Sequence, residues 1–274
     1  MKEKINLLII DPQNSFCDPS EDLYVQNSEK DMQRISSMVD RLGTRINEIY
    51  VSLDRHHFFD ISHPDFWEDK EGKNPDPFTI ISYKDIVDEN WFPIFSSLPG
   101  YSNAKKYVEK YTKKLKENGR YSHTIWPPHC LIASHGASVV PVLYESLLRW
   151  EKLKRKNINY IPKGECITTE SFSCVKSALP NAKDPSTQLK TKFISDLLLV
   201  EKILICGETS SHCLKDSVED IVQFGDNNCI EKLCLLTDGT SPVISPFVDF
   251  PSIAKQFITD MKLKGMQVAK TTNF

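Results

Sequence analysis

The chain reads as an α/β protein, built on a mostly parallel, six-stranded sheet with helices on both faces. Three observations predict this. Short apolar runs alternate with segments whose apolar residues recur at helical spacing. The runs lack the strict polar alternation of a half-exposed strand, as parallel strands covered on both faces should. Several of them stop at Asp or Gly, where a chain turns out of a sheet.

Residues 5–10 are apolar apart from Asn6 and end at Asp11-Pro12, which makes them the first strand. Met32, Ile35, Val39, Leu42 and Ile46 share one helical face and predict the helix that follows. Residues 49–53 form the second strand, closed by Asp54. Residues 158–161 form the third, followed by Pro162 and Lys163. Residues 203–207 form the fourth, and Leu214, Val218, Ile221 and Val222 mark a helix directly behind it. Residues 233–237 form the fifth and stop at Asp238-Gly239. Residues 253–263 are helical, and residues 266–268 close the sheet.

At 274 residues the chain fits one domain, residues 1–274, with an inserted excursion at about 68–120. The excursion opens polar and Pro-rich at Asn74-Pro75-Asp76-Pro77, then carries a Lys-rich helical segment at 104–117. Its apolar residues read as too few for a core of its own. Apolar residues at 40% and charged residues at 26% supply a core and a wet surface. A net charge of -3, without a long Lys/Arg run, excludes the electrostatic footprint of a nucleic-acid binder. The run at 7–10, behind Met1-Lys2-Glu3-Lys4, is too short for a secretory signal. No stretch approaches the roughly 20 apolar residues of a membrane span. A cytoplasmic location without a membrane partner is the expectation. There the eight cysteines would stay reduced. None has CxxC spacing, so a structural zinc site of thiolates is not supported.

In open parallel sheets, ligands bind outside the carboxyl ends of the strands. That rule brings together Asp11, Asp54, Lys163 and the stretch Gly207-Glu208-Thr209-Ser210-Ser211-His212-Cys213. Cys213 would start a helix, where the dipole and free N–H groups favour a thiolate and can bind an oxyanion. A carboxylate such as Asp11 can accept the thiol proton, and an ammonium such as Lys163 can stabilise the ion. Asp54, His56, His63 and His129 offer one carboxylate and three imidazoles, a set suited to a borderline divalent metal such as Zn, Mn or Fe. His57 competes with His56 for that role. His123, His135 and His212 fall outside the site, although His212 adjoins the nucleophile and could touch substrate.

Asp11-Pro12-Gln13-Asn14-Ser15-Phe16 resembles the D-x-Q-N-D-F opening of the isochorismatase-like cysteine hydrolases, the superfamily that includes the nicotinamidases. Lys163-Gly164 resembles their K-G element, and residues 207–213 their G-x-x-T-D-x-C element. The three occur in family order and span most of the chain. The resemblance implies a doubly wound sheet of the isochorismatase-like hydrolase fold and a Cys213–Asp11–Lys163 triad. It implies a cis peptide at Glu208-Thr209, with the N–H groups of Thr209 and Cys213 as the oxyanion hole. It further implies an amidohydrolase acting on a small nicotinamide-like carboxamide through a Cys thioester. Asp54-Arg55-His56, His63 and Trp126-Pro127-Pro128-His129-Cys130 are similar to the nicotinamidase metal site, in which the ion would hold a ring nitrogen. Phe16 and Trp126 would flank the ring. A homo-oligomer is implied by the resemblance alone.

The chain departs from the pattern at Ser15, Ser210 and Ser211, none of them a triad position. It also separates His63 from His129 by the whole excursion, which could serve as a lid, an oligomer interface or a remade substrate wall. Two other readings follow from the same residues. One is a metal-free relative acting on a carbamoyl or ureido compound. The other is a catalytically silent binding scaffold.

Overall fold

The strand β1 (Ile5–Ile10) is buried at every position, so both faces of the sheet centre are covered. The computed structural model describes residues 4–119 and 122–274; Met1, Lys2 and Glu3 of the N-terminal segment and Arg120 at the close of the excursion lie outside the described residues. Around β1 stand β2 (Ile46–Asp54), β3 (Asn159–Lys163), β4 (Lys202–Gly207), β5 (Leu233–Leu236) and β6 (Gln267–Ala269). They form one six-stranded sheet in the order β6-β5-β4-β1-β2-β3, and every neighbouring pair is parallel. The chain therefore winds outward from β1 in both directions. The β1, β2, β3 and β4 ends that carry Asp11, Asp54, Lys163 and Gly207 lie side by side at one rim.

Five longer helices accompany the sheet: α1 (Ser28–Leu42), α2 (Ala104–Asn118), α3 (Pro141–Lys154), α4 (Cys213–Phe224) and α5 (Phe250–Leu263). The α1 helix buries Met32, Ile35, Met38, Val39 and Leu42, and packs beside α3. Ile46, expected on that helix, belongs instead to β2, where it pairs with Ile5. Gly43, at φ 50, ends the helix there, a conformation that a residue with a Cβ rarely adopts. The α3 helix has no counterpart in the sequence reading. It buries Leu143, Leu147 and Trp150 but leaves Val142, Tyr144 and Leu153 exposed, which blurs its apolar stripe.

The excursion shares a second buried cluster with the segments that flank it. Ile81, Tyr107, Tyr111 and Leu115 of the excursion pack together with Ile61, Phe66, Trp67 and Ile125 on either side of it. Aromatic rings supply the volume that aliphatic residues lack, and their polar ends are satisfied. Trp67 Nε1 donates to Ile61 O at 2.7 Å, and the Tyr107 hydroxyl donates to Thr168 O at 2.7 Å. That second bond ties α2 to the segment that follows Lys163. All eight cysteines are unpaired. Among the described residues, no helix is long and apolar enough to cross a membrane.

Candidate active site

Asp11, Lys163 and Cys213, distant in sequence, meet at the rim of the sheet. Lys163 Nζ lies 2.9 Å from Asp11 Oδ2, 3.0 Å from Asp54 Oδ1 and 3.6 Å from Cys213 Sγ. All four side chains are buried. Ser52, on β2, fixes Asp11 from the neighbouring strand: its hydroxyl donates to Asp11 Oδ1 at 2.6 Å and accepts from the Asp11 N–H at 3.0 Å. Two glycines let the backbone come this close. A Cβ on Gly207 would meet Ile10 O at 2.1 Å, and one on Gly164 would meet Asp54 Oδ1 at 2.6 Å.

The charges follow from burial and proximity. Burial works against the Lys163 ammonium, but Asp11 and Asp54 hold it well above the ordinary lysine range. Burial pushes Asp11 above the usual carboxylate range, aided by Asp54 and opposed by Lys163 and Ser52. Burial pushes the Cys213 thiol well up too; the nearby Lys163 ammonium pulls it down, and the Asp11 and Asp54 carboxylates push it up. Burial and the two carboxylates thus oppose the helix N-terminus and Lys163, and leave Asp11 to accept the thiol proton.

Cys213 is the first residue of α4. Among the described residues, no acceptor engages the backbone N–H of Thr209 or Cys213. Two free donors thus flank the sulfur at a helix N-terminus, as an oxyanion requires. The peptide bond between Glu208 and Thr209 is cis, as the motif resemblance implies.

Asp54, His56 and His129 form a buried group whose donor atoms lie within 4.8 Å of one another. Asp54 Oδ2 is 3.1 Å from His56 Nε2 and 3.4 Å from His129 Nε2. His129 Nδ1 lies 2.9 Å from Pro127 O, which can only accept, so Nδ1 carries the proton and Nε2 turns a lone pair towards Asp54. Two lone-pair atoms facing each other call for a cation between them. His56 faces Asp54 on one side and Asp60 Oδ2, at 3.3 Å, on the other, and neither ring nitrogen makes an aligned hydrogen bond. Burial opposes a charge on His56, but the two carboxylates hold its imidazole well above the ordinary range. Burial lowers His129, and lowers His63 to about 3, so both rings are neutral. The donor set and its orphaned atoms fit a borderline divalent metal.

His63 contributes no atom to the three-residue group. Its Nδ1 lies 3.1 Å from Phe58 O, and its Nε2 lies 3.4 Å from His129 Nδ1. His57 is exposed, which settles the choice in favour of His56. Asp60 was missed, although it stands between His56 and His63 in the chain. Phe16 lies against His129, ring centroids 5.6 Å apart. Trp126 sits in an aromatic group with His212 at 5.0 Å and Phe172 and Phe250 at 6.2 Å. Phe172 and Phe250 escaped the sequence reading because no motif marks them. Ser15 fills its departure from the motif by accepting the Cys130 N–H at 2.9 Å, which holds the segment bearing His129.

This sheet order with this rim defines the isochorismatase-like hydrolase fold. Within that fold the chain is similar to the nicotinamidases and pyrazinamidases. A nicotinamidase/pyrazinamidase of Acinetobacter baumannii matches at 17% identity over 100% of this chain and 99% of its own, TM-score 0.63. The yeast nicotinamidase bound to nicotinaldehyde matches at 19% over 97% and 99%, TM-score 0.64. A pyrazinamidase of Pyrococcus horikoshii in complex with zinc matches at 16% over 97% and 98%, TM-score 0.56. No family model and no curated protein matches the sequence.

Proposed function

We propose that this chain is a cysteine amidohydrolase that cleaves the carboxamide of a small aromatic or heterocyclic compound, nicotinamide-like, to the acid and ammonia. The observation that carries this reading is Lys163 Nζ within 2.9 Å of Asp11 and 3.6 Å of Cys213, with all three side chains buried.

Asp11 takes the thiol proton as the sulfur attacks the carbonyl carbon. The carbonyl oxygen gains the negative charge and lies against the N–H groups of Thr209 and Cys213. Asp11 then returns the proton to the leaving nitrogen, the C–N bond breaks, and a thioester remains. Asp11 next takes a proton from water, whose oxygen attacks the thioester. The acid leaves, and the sulfur regains its proton. Lys163 stays charged throughout and limits the cost of two neighbouring carboxylates. A divalent metal held by Asp54, His56 and His129 would supply a Lewis acid for a ring nitrogen and so fix the ring's orientation. Phe16 and Trp126 would contact the ring.

An ammonia-release screen over small amides tests the reading, with Cys213→Ala and Asp11→Asn beside the wild type. Turnover by the wild type and its loss in both variants, with unchanged circular dichroism, is the expected result. Wild-type rates in either variant would refute it.

A further inference from the structure

The nucleophile loop, residues 207–213, is stitched to a second loop, residues 238–243. Gly207 N–H donates to Gly239 O at 2.7 Å, and Ser210 N–H to Ser241 O at 3.0 Å. Val243 N–H donates to the Ser211 hydroxyl at 3.2 Å. Inside this seam lies Glu208, a fully buried carboxyl that the chemistry above does not use. Its Oε2 accepts from Ser241 N–H at 3.1 Å. The Ser241 hydroxyl donates at 2.6 Å to Oδ2 of Asp31, on α1. Ser241 thus bridges the two buried carboxyls, which stand on either side of one residue.

Two ionised carboxylates have four oxygens and no donor between them, so a bond between them requires a proton. Asp31 is the better place for the negative charge: Arg34 Nη1 lies 2.9 Å from its Oδ1, and the Ser241 hydroxyl serves its other oxygen. Glu208 has only a backbone N–H, and its Oε1 is buried with no donor in reach. We propose that Glu208 and Asp31 share one proton as an acid–carboxylate pair that positions the nucleophile loop, and that loss of this proton as pH rises displaces the Thr209 and Cys213 N–H donors. The catalytic half of this inference rests on the hydrolase reading; the shared proton does not.

The other groups facing the pair strengthen the argument. Glu29 and Asp238 add negative charge, and among the described residues Arg34 is the cation paired with it. The Cys17 and Cys206 thiols nearby are pushed well up, by burial first and Glu208 second, and stay neutral. Burial, then Asp31, pushes Glu208 well above the ordinary range. A raised acid stabilises the fold fully below its unfolded value and loses that contribution as pH rises through its folded value. The pair's contribution therefore falls as pH rises from the ordinary carboxyl range to the raised folded value of Glu208.

Glu208→Gln is the decisive variant, because its amide can donate to Asp31 and accept from Ser241 N–H without being able to ionise. Asp31→Asn supplies the same donor from the other side and serves as a second variant. Three readouts apply: the infrared band of protonated carboxyl, unfolding temperature against pH, and kcat and KM against pH. The expected result is a carboxyl band component in the wild type that is absent from Glu208→Gln. Both amide variants should lose this fall in unfolding temperature as pH rises. Glu208→Gln should keep neutral-pH kcat within about threefold and shift the limb on which kcat falls as pH rises, with KM unchanged. Glu208→Ala should lower kcat about tenfold or more. An identical carboxyl band in Glu208→Gln, or rising-pH limbs that coincide with wild type, would overturn the inference. A wild type that releases no ammonia sinks the hydrolase reading instead, and the band and unfolding data then decide the proton pair alone.

Discussion

Gln13 grips the backbone of Asp54 from both sides. Its Nε2 donates to the Asp54 carbonyl at 2.7 Å, and the Asp54 N–H donates to its Oε1 at 2.7 Å. The same Nε2 donates to Ala137 O at 3.0 Å. One buried amide thus joins the turn after β1, the end of β2 and the segment leading to α3. It sets the Asp54 carboxylate beside that of Asp11, with Lys163 between them.

Gln13→Leu should therefore cost both stability and site geometry. The change leaves the Asp54 N–H and the Asp54 carbonyl without their partner, each worth about 1–3 kcal/mol when buried and unsatisfied. A loss of about 3 kcal/mol in urea unfolding is expected. Turnover should fall at least about tenfold as Asp54 drifts. A stable, fully active Gln13→Leu protein would show that the grip does not matter.

Lys163 is the cation that Asp11 and Asp54 share, at 2.9 and 3.0 Å. Removing it leaves two buried carboxylates facing each other. Lys163→Met should destabilise the fold by about 3–5 kcal/mol at neutral pH, the usual range for a broken buried pair. Without the ammonium Asp11 rises further and Asp54 loses one of the charges that hold it low, so the loss should shrink as pH falls and they take up protons. Adding Asp11→Asn to Lys163→Met should recover part of the stability without restoring turnover. Urea unfolding of the two variants checks the sign.

The triad was legible because each member stands at a strand end with a recognisable neighbour. Gly207 and Gly164 explain two of those neighbours, since a Cβ at either would collide with Ile10 or Asp54. The charge balance around Cys213 was not legible. A helix N-terminus favours a thiolate, but only the fold shows the sulfur buried with two carboxylates acting on it. The second cluster was hidden for another reason: its volume comes from Trp67, Tyr107 and Tyr111, on both sides of the excursion's start, whose polar atoms find partners only in the folded chain. Glu208 passed as an unremarkable loop residue because Asp31 and Ser241 lie far away in sequence.

His123 gives the aromatic cluster at the excursion's base a pH signature. Its ring is buried between Trp67 and Tyr111, and its Nε2–H donates to Ile61 O at 2.8 Å. Burial lowers it to about 4 from the ordinary 6.5. Between those values the unfolded chain binds a proton that the folded chain refuses, so stability falls as pH drops through this window. At the lower end the single group accounts for about 3 kcal/mol. His123→Gln keeps a donor for Ile61 O and cannot titrate. Its unfolding free energy should fall less than that of the wild type between neutral pH and the acid end. Parallel curves for the two proteins would contradict the assignment.

The metal proposal separates His129 from His63. His129 offers Nε2 to Asp54 with its Nδ1 proton held by Pro127 O, whereas His63 places no atom in the close group. After purification from medium supplied with zinc, manganese and iron, elemental analysis should find near-stoichiometric metal in the wild type and little in His129→Ala. His63→Ala should retain clearly more than His129→Ala. Asp60, 3.3 Å from His56 Nδ1, orients that ring without touching the group. Asp60→Asn should weaken metal affinity about 10–100-fold, the usual cost of losing a carboxylate behind a ligand. It should do so without abolishing alkylation of Cys213, which depends on the separate triad. If His63→Ala empties the site as completely as His129→Ala, the histidine pair acts as one unit and the three-residue donor set is wrong. If the wild type carries no metal and still releases ammonia at full rate, the cation between Asp54 and Asp60 is the His56 proton itself.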